Sequence, residues 1–201
     1  MQSSNTAIVL VGFQNDYFAE DGILREFVEG DARDTTLQNV THICEQIKRF
    51  PDLLLIATPI QFTPDYSEIT DPVGILKAII EVGAFRQGKK GTETIPLLAD
   101  MGQRVVQVPG RRGLNAFSNT DLEDILHEHR IRNIVLAGTV TSLCVDSTAR
   151  SAFERGFLVH ILADCTAGRT DMEQRFYTEE VFPMYARVLD HHEFLRELEE
   201  K

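Results

Sequence analysis

A cysteine stands shortly after one of the most apolar stretches of the chain. The segment "NIVLAGTVTSLCVDSTARSAFERGF" opens at residue 133 with consecutive aliphatic residues, which predict a buried strand. Cys144 then falls in the first turn of a predicted helix over 141–156, with Thr141 as its cap and Gly156 as its end. Unpaired backbone N–H groups and the helix dipole favour an anion there, so a thiolate could attack a carbonyl carbon. The alternative is a small buried residue that packs the helix against the sheet.

A polar cluster directly follows the first predicted strand. In "AIVLVGFQNDYF", residues 7–18, an apolar run passes through Gly12 into Gln14, Asn15 and Asp16. Amide and carboxylate side chains of this kind often bond the backbone of their own turn. We therefore favour a structural role for these three residues, in which they hold a loop, over a role in chemistry.

The elements that must position these residues follow a β-α alternation. Runs of Val, Ile and Leu on consecutive positions predict six strands, at 7–12, 53–57, 104–108, 133–138, 158–164 and 186–190. An apolar stripe predicts a helix over 31–50 that buries Cys44, and Thr120 with Glu123 forms a capping-box pattern before a helix over 120–130. The alternation predicts one domain over 1–201, a three-layer α/β/α sandwich with a six-stranded, mainly parallel sheet and a ligand site beyond the carboxyl ends of its strands.

Residues 59–100 form the least regular stretch and are rich in Pro and Gly, which predicts a mobile flap or a subunit contact. Burial within one domain accounts for only part of the apolar residues there, so the segment predicts a homo-oligomer. These residues are Phe62, Val73, Ile75, Leu76, Ile79, Ile80 and Phe85.

Composition excludes several classes of partner. The chain has 20 Lys and Arg against 31 Asp and Glu, and its net charge of −11 disfavours nucleic acid and anionic membranes. The polar start "MQSSNT" lacks the features of a signal peptide, which predicts a cytoplasmic protein. The three cysteines are widely spaced and fit reduced thiols. The six histidines show no metal-binding spacing, so no metal site is predicted.

Several of these segments resemble the isochorismatase-like (cysteine) hydrolases, the superfamily that also holds nicotinamidases and carbamoylsarcosine amidases. "AIVLVGFQNDYF" resembles the family's first strand and its "DxQNDF" turn, and "GTVTSLCVDSTARSAFERGF" its cysteine loop. "GRRGLNAFSNTDLEDIL" is similar to "KxxxSAFxxTxLxxxL", and "LVHILADCTAG" to a strand that ends in "DA". The resemblance implies a Rossmann-like α/β sandwich, usually oligomeric, and a site made of an Asp, a Lys and a nucleophilic Cys. It also implies a cis peptide at Thr139–Val140.

Only the nucleophile of this family site matches, as Cys144. The position of the family Asp, directly before "FQND", is Gly12, which cannot take up a proton. The position of the family Lys, five residues before the Ala of "NAF", is Arg111. Arginine can hold a carboxylate or an oxyanion, but it cannot donate and recover a proton near neutral pH. The surrounding substrate pocket is expected to include Gly12, Gln14, Phe18, Thr139, Val140 and Leu143.

Other acids are weaker replacements for the missing Asp. Asp16 matches the family's second Asp, which has a structural role, and Glu68 and Asp71 lie in the irregular stretch at unknown distance. Nicotinamidase-like relatives carry a metal-binding "DxH" stretch after the second strand, but residues 53–70 hold no histidine here. The resemblance therefore implies no metal and no other cofactor.

Two functions stay open. The first is a cofactor-free hydrolase of a small amide or related carbonyl compound that uses Cys144 and Arg111. The alternative is a catalytically impaired member of the family that binds a small molecule or a partner protein, because the Asp and the Lys are both replaced. Isochorismate itself ranks last as a substrate, since relatives that act on it keep the Asp.

Overall fold

A computed structural model describes residues 1–199, and its centre is a sheet of six parallel strands in the order β3-β2-β1-β4-β5-β6. The strands are β1 Thr6–Val11, β2 Leu54–Thr58, β3 Val106–Gln107, β4 Asn133–Thr139, β5 Leu158–Ala167 and β6 Arg187–Leu189. Every residue of β1 and β4 is buried, which requires cover on both faces of the sheet. The predicted α/β sandwich with a six-stranded parallel sheet is confirmed.

The strand order reverses between β1 and β4, and this is where ligands bind in sheets of this kind. Val11 at the end of β1 is level with Thr58 at the end of β2 and with Gly138 near the end of β4. Neighbouring strands are about 4.8 Å apart, so the loops that leave these three ends start side by side.

Helices and shorter turns connect the strands. The α-helices are α1 Asn15–Phe18, α2 Gly30–Gln46, α3 Gly74–Val82, α4 Pro96–Ala99, α5 Leu122–Glu128, α6 Asp146–Glu154, α7 Asp171–Phe176 and α8 His191–Glu199. Single 3-10 turns lie at Ser3–Asn5, Arg25–Phe27, Ile47–Arg49, Lys90–Thr92, Gly102–Arg104 and Phe182–Met184, and π-helical turns at Thr141–Val145 and Tyr177–Val181. None of the helices within residues 1–199 is long and apolar enough to cross a membrane.

The capping box predicted for α5 does not form. The helix starts two residues after Thr120, whose hydroxyl accepts only a long hydrogen bond, 3.4 Å, from the N–H of Leu122. Glu123 turns away and forms an ion pair with Arg155, 2.8 Å between Oε2 and Nε. A tertiary ion pair thus replaces the local cap that the sequence pattern favours.

The irregular stretch 59–100 contains α3 and α4 and packs onto the core. Phe62, Ile79 and Phe85 are buried, while Ile75, Leu76 and Ile80 are partly buried against the same core. Of the apolar residues expected at a subunit contact, only Val73 is strongly exposed, at 77%. Most of the apolar surface expected there is therefore used within this chain, and the homo-oligomer stays a prediction.

Candidate active site

Cys144 is buried in a π-helical turn that runs straight into α6. In this turn the N–H of Val145 donates to the carbonyl of Val140 five residues earlier, at 3.2 Å. The cysteine is therefore the fourth residue of a widened turn, not a residue in the first turn of a regular α-helix. The preceding Thr139–Val140 peptide bond is cis, as the family resemblance implies.

Two side chains of α7 hold the cysteine turn. The Thr141 hydroxyl donates to Gln174 Oε1 at 2.6 Å, and the Ser142 hydroxyl donates to Glu173 Oε1 at 2.6 Å. Thr141 is therefore not the helix cap that the sequence predicts, because its hydroxyl is bound to α7. Gln174 and Glu173 lie about thirty residues further along the chain, so local spacing carries no signal of their role.

Gly12 lies against the backbone of the cysteine loop. Its φ of +76° lies in the left-handed region that glycine favours. A Cβ atom at this position would lie 2.6 Å from the carbonyl oxygen of Thr139 and 3.2 Å from the Thr139 hydroxyl. The hydroxyl is buried and has no hydrogen-bond partner among residues 1–199. The main chain at the end of the neighbouring strand β4 thus leaves no room for a side chain at the position of the missing family Asp.

Arg111 is fully buried, and its guanidinium is held by main-chain carbonyls. Nη1 donates to Thr58 at 2.9 Å, Nε to Gly113 at 3.0 Å and Nη2 to Leu114 at 3.1 Å. A guanidinium has five N–H donors, so two remain. No carboxylate of the described residues pairs with this cation. An unneutralised buried cation attracts an anion, and Thr58 places it at the end of β2, beside the end of β1.

Tyr17 joins this group, although neither its residue type nor its spacing marks it as a site residue. Burial raises the pKa of the Tyr17 hydroxyl, the nearby Cys144 sulfur raises that pKa further, and the Arg111 guanidinium lowers it. The three side chains therefore share one electrostatic environment. The family motif has Phe where this chain has Tyr17, which was the only signal in the sequence.

Gln14 ties the turn after β1 to the irregular stretch. Its Nε2 donates to the carbonyls of Ile60 and Thr92 at 2.8 and 2.7 Å, and its Oε1 accepts from the Ile60 N–H at 2.8 Å. Both amide protons are therefore bound within the chain, and the side chain anchors residues 59–100.

Asn15 and Asp16 bind the same stretch. Asn15 Nδ2 donates to the carbonyl of Lys90 at 2.9 Å, and Asp16 Oδ2 accepts from the N–H of Phe85 at 2.7 Å. Burial raises the pKa of Asp16, and the hydrogen bond from Phe85 lowers it in part. We call Gln14, Asn15 and Asp16 the QND clasp. The residue types predict that these side chains hold a loop, but the backbone that they bind belongs to residues 59–100 and not to their own turn.

The remaining candidate acids lie apart from the QND clasp. Burial alone would raise the pKa of Glu68, but hydrogen bonds from the N–H and hydroxyl of Thr63, with the Arg112 cation, lower it below its ordinary value. This carboxylate is stabilised in its charged form, which makes it a weak base. Asp71 is exposed.

Gly12 follows β1, Arg111 binds the end of β2 and Cys144 follows β4, so the three positions lie at the same edge of the sheet, but among residues 1–199 they are not seen to line an open crevice. Phe18, Thr139 and Val140 are buried as well, and Leu143 is partly buried. Five cavities of residues 1–199 have volumes of about 200 to 480 Å³, and Gly12, Arg111 and Cys144 line none of these five. The three positions are therefore closed off from solvent in this structure.

Comparison with known proteins agrees with this architecture. Residues 6–193 match the family model described as the Isochorismatase domain. The chain therefore belongs to the isochorismatase family.

Individual relatives are distant or aligned only in part. An uncharacterized isochorismatase family protein of Bacillus subtilis, YddQ, is 38% identical over 56 residues, which cover 28% of this chain and 31% of that protein. The ureidoacrylate amidohydrolase RutB of Rhizobium rhizogenes is 28% identical over 180 residues, 83% of this chain and 72% of that protein. A cysteine hydrolase structure from Pseudomonas syringae pv. phaseolicola superimposes with a TM-score of 0.84 at 21% identity, covering 100% of this chain and 95% of that one.

Proposed function

We propose that this protein is a cysteine hydrolase that cleaves the C–N bond of a small amide or ureide. The observation that carries the proposal is the buried Arg111 cation, which has two unbound N–H donors and shares its surroundings with the Cys144 thiol. The similarity to a ureidoacrylate amidohydrolase over 83% of this chain supports the same class of bond. The family's metal-binding stretch has no histidine counterpart in residues 53–70, so we derive no metal-dependent step.

The reaction balances in two steps. The Cys144 sulfur attacks the carbonyl carbon, the C–N bond breaks, and the thiol proton leaves with the amine or ammonia. Water then attacks the resulting thioester, which releases the acid and restores the thiol. Because Gly12 cannot carry the proton between these groups, we expect slow turnover compared with an enzyme that has a general base, which contributes about 10² to 10⁴ in rate.

Arg111 holds the negative charge that develops in both steps. Its two unbound N–H groups can donate to an oxyanion or to a carboxylate of the substrate, and in a buried site such bonds are strong. The neutral hydroxyl of Tyr17 is a further donor in the same environment. Arg111→Lys should therefore weaken turnover, because the forked donor geometry is lost.

The test is ammonia release from a panel of small amides, ureides and hydroxamates. We expect slow turnover by the natural protein, none by Cys144→Ala, and unchanged turnover by Cys44→Ala, which removes an equally buried thiol. Turnover that survives in Cys144→Ala contradicts the proposal. So does an absence of turnover across the whole panel.

A second candidate, a binding protein without catalytic activity, is favoured by one observation. The backbone around Gly12 leaves no room for the family carboxylate. In this case a panel compound should raise the melting temperature of the natural protein without any release of product. Product release that depends on Cys144 excludes this candidate.

A further inference from the structure

Three histidines come together where α2 meets α8. One of them is remote in sequence from the other two, which are adjacent, so their spacing alone does not indicate a metal site. His42 lies on α2, and His191 and His192 are the first two residues of α8. One ligand atom from each lies within 4.8 Å of those of the other two. The ring centres are 5.3 Å apart for His42 and His191, 5.5 Å for His42 and His192, and 3.9 Å for the adjacent pair. We call these residues the three-histidine cluster.

We propose that the three-histidine cluster binds one divalent metal ion of the zinc type. Imidazole nitrogen is the preferred neutral ligand of such ions, and zinc sites with three protein ligands keep a fourth position for water. A Zn–N distance of about 2.0–2.1 Å places tetrahedral nitrogens about 3.4 Å apart. The cluster must therefore contract by little more than an ångström, which rotation of the partly exposed His42 and the exposed His192 can supply.

Asp164 holds His191 in an orientation suited to a ligand. Its Oδ2 lies 2.5 Å from His191 Nδ1, and its Oδ1 accepts from the His191 backbone N–H at 3.0 Å. A carboxylate only accepts hydrogen bonds, so Nδ1 carries a proton, and in the neutral ring Nε2 then has the lone pair that a metal ion needs. Metal-binding histidines in proteins usually have such a carboxylate partner on the other ring nitrogen. His191 is thus held in one orientation, while the side chains of His42 and His192 can rotate toward an ion.

The surroundings give an ion space and access. His42 and His192 line a surface cavity of about 250 Å³, together with Gln46, Arg49, Leu195, Arg196 and Glu199. Arg49 is paired with Glu199, 2.5 Å between Nη2 and Oε1, which reduces its repulsion of a cation. Cys165 also lies near His191, but its sulfur donates to Asp164 Oδ1 at 3.6 Å and the residue is buried. The cavity side of the cluster is therefore the side on which an ion binds.

The test is a titration of the metal-free full chain with Co²⁺, followed by its visible absorption, and with Zn²⁺, followed by calorimetry. We expect one ion per chain and a higher melting temperature with Zn²⁺, because the ion joins α8 to α2. His42→Ala and His192→Ala should each weaken binding by more than about tenfold, and Asp164→Asn by about ten- to a hundredfold. The control His129→Ala, at an exposed histidine elsewhere, should bind like the natural protein.

Circular dichroism of each variant shows whether it is folded, so a loss of binding can be separated from a loss of structure. The proposal is contradicted if the natural protein binds no Zn²⁺ at about 100 µM, or if either His42→Ala or His192→Ala keeps the natural affinity. This test measures metal binding and not hydrolysis, so its outcome does not depend on the proposed enzymatic function.

Discussion

Gly12 occupies the position at which the family carries its proton acceptor, and the surrounding backbone has adapted to glycine. Its positive φ and the carbonyl of Thr139 both disfavour any side chain. Restoring the family Asp is thus a change of main-chain conformation as well as of one side chain. The sequence shows the substitution, but only the tertiary contact shows its structural cost.

Replacement of Gly12 by alanine should lower the free energy of unfolding for two reasons. A left-handed backbone conformation alone costs a non-glycine residue about 1–3 kcal/mol. The contact with the Thr139 carbonyl should add to this cost. Gly88→Ala is the matched control, because Gly88 has a similar φ of +78° and open space around it. Urea denaturation of both variants measures the difference, and Gly12→Asp should be at least as unstable as Gly12→Ala. Equal stability of the Gly12→Ala and Gly88→Ala variants would show that the Thr139 carbonyl can move away from the new methyl group at little cost.

Burial has a predictable effect on the reactivity of Cys44. Burial raises the pKa of Cys44 to about 11, so roughly one thiol in three thousand is ionised at pH 7.5. We expect iodoacetamide to label Cys144, which shares the surroundings of Tyr17 with the Arg111 cation, before Cys44 at this pH. Labelling of Cys44 should rise about a hundredfold at pH 9.5, where its thiolate fraction has increased by that factor. Peptide mass spectrometry follows each site, and equal rates at pH 7.5 count against a reactive Cys144.

At the scale of elements, the QND clasp explains the polar cluster after β1. It binds the main chain of residues 59–100 at four points, so a stretch rich in Pro and Gly is fixed against the sheet. Prolines and glycines predict irregular backbone, but they do not show whether distant side chains hold it. The stretch predicted as a mobile flap or a subunit contact is packed against the core in this structure, and its mobility stays a prediction.

Gly91→Ala should weaken this clasp. A Cβ atom there would lie 1.8 Å from Asp16 Oδ1 and 2.5 Å from Asp16 Cγ, so the carboxylate must leave the N–H of Phe85. We expect a loss of about 1–3 kcal/mol in the free energy of unfolding and faster proteolysis within residues 59–100. Gly113→Ala, which has open space, should stay within about 0.5 kcal/mol of the natural protein. Unchanged proteolysis in the Gly91 variant would show that the clasp does not hold the segment.

The sequence predicts the elements better than the contacts between them. Consecutive aliphatic residues identify all six strands. The four inner strands are covered on both faces, which excludes polar residues from most of each strand, whereas β3 and β6 are short edge strands with exposed polar residues. The end of β5 is missed: the predicted strand stops at Asp164, whereas a register shift beside β4 allows the observed strand to continue through Thr166 to Ala167. The roles of Tyr17, Gln174 and the three-histidine cluster depend on tertiary proximity, which no local spacing encodes.

At the scale of the whole molecule, His160 should make stability depend on pH. Burial, with the Arg187 cation, lowers the pKa of His160 to about 4 from 6.5. Between these values the unfolded chain binds a proton at this residue and the folded chain does not. The free energy of unfolding should therefore fall as the pH drops from 6.5 to 4, by up to about 3 kcal/mol.

Denaturation in urea across this pH range measures the dependence. A His160→Leu variant should show a flatter curve, whatever its absolute stability, while His129→Leu, at an exposed position, should keep the natural slope. An unchanged slope in His160→Leu would assign the acid sensitivity to other groups.

The proposed reaction requires a covalent bond between the Cys144 sulfur and the acyl group of the substrate. The most direct measurement is rapid acid quenching of a reaction with the best substrate of the panel, followed by intact-protein and peptide mass spectrometry. The predicted result is a mass increase equal to the acyl group, located at Cys144 and absent from Cys144→Ala. Hydrolysis during which Cys144 stays unmodified, or an acyl group located at Cys44 or Cys165, would contradict it.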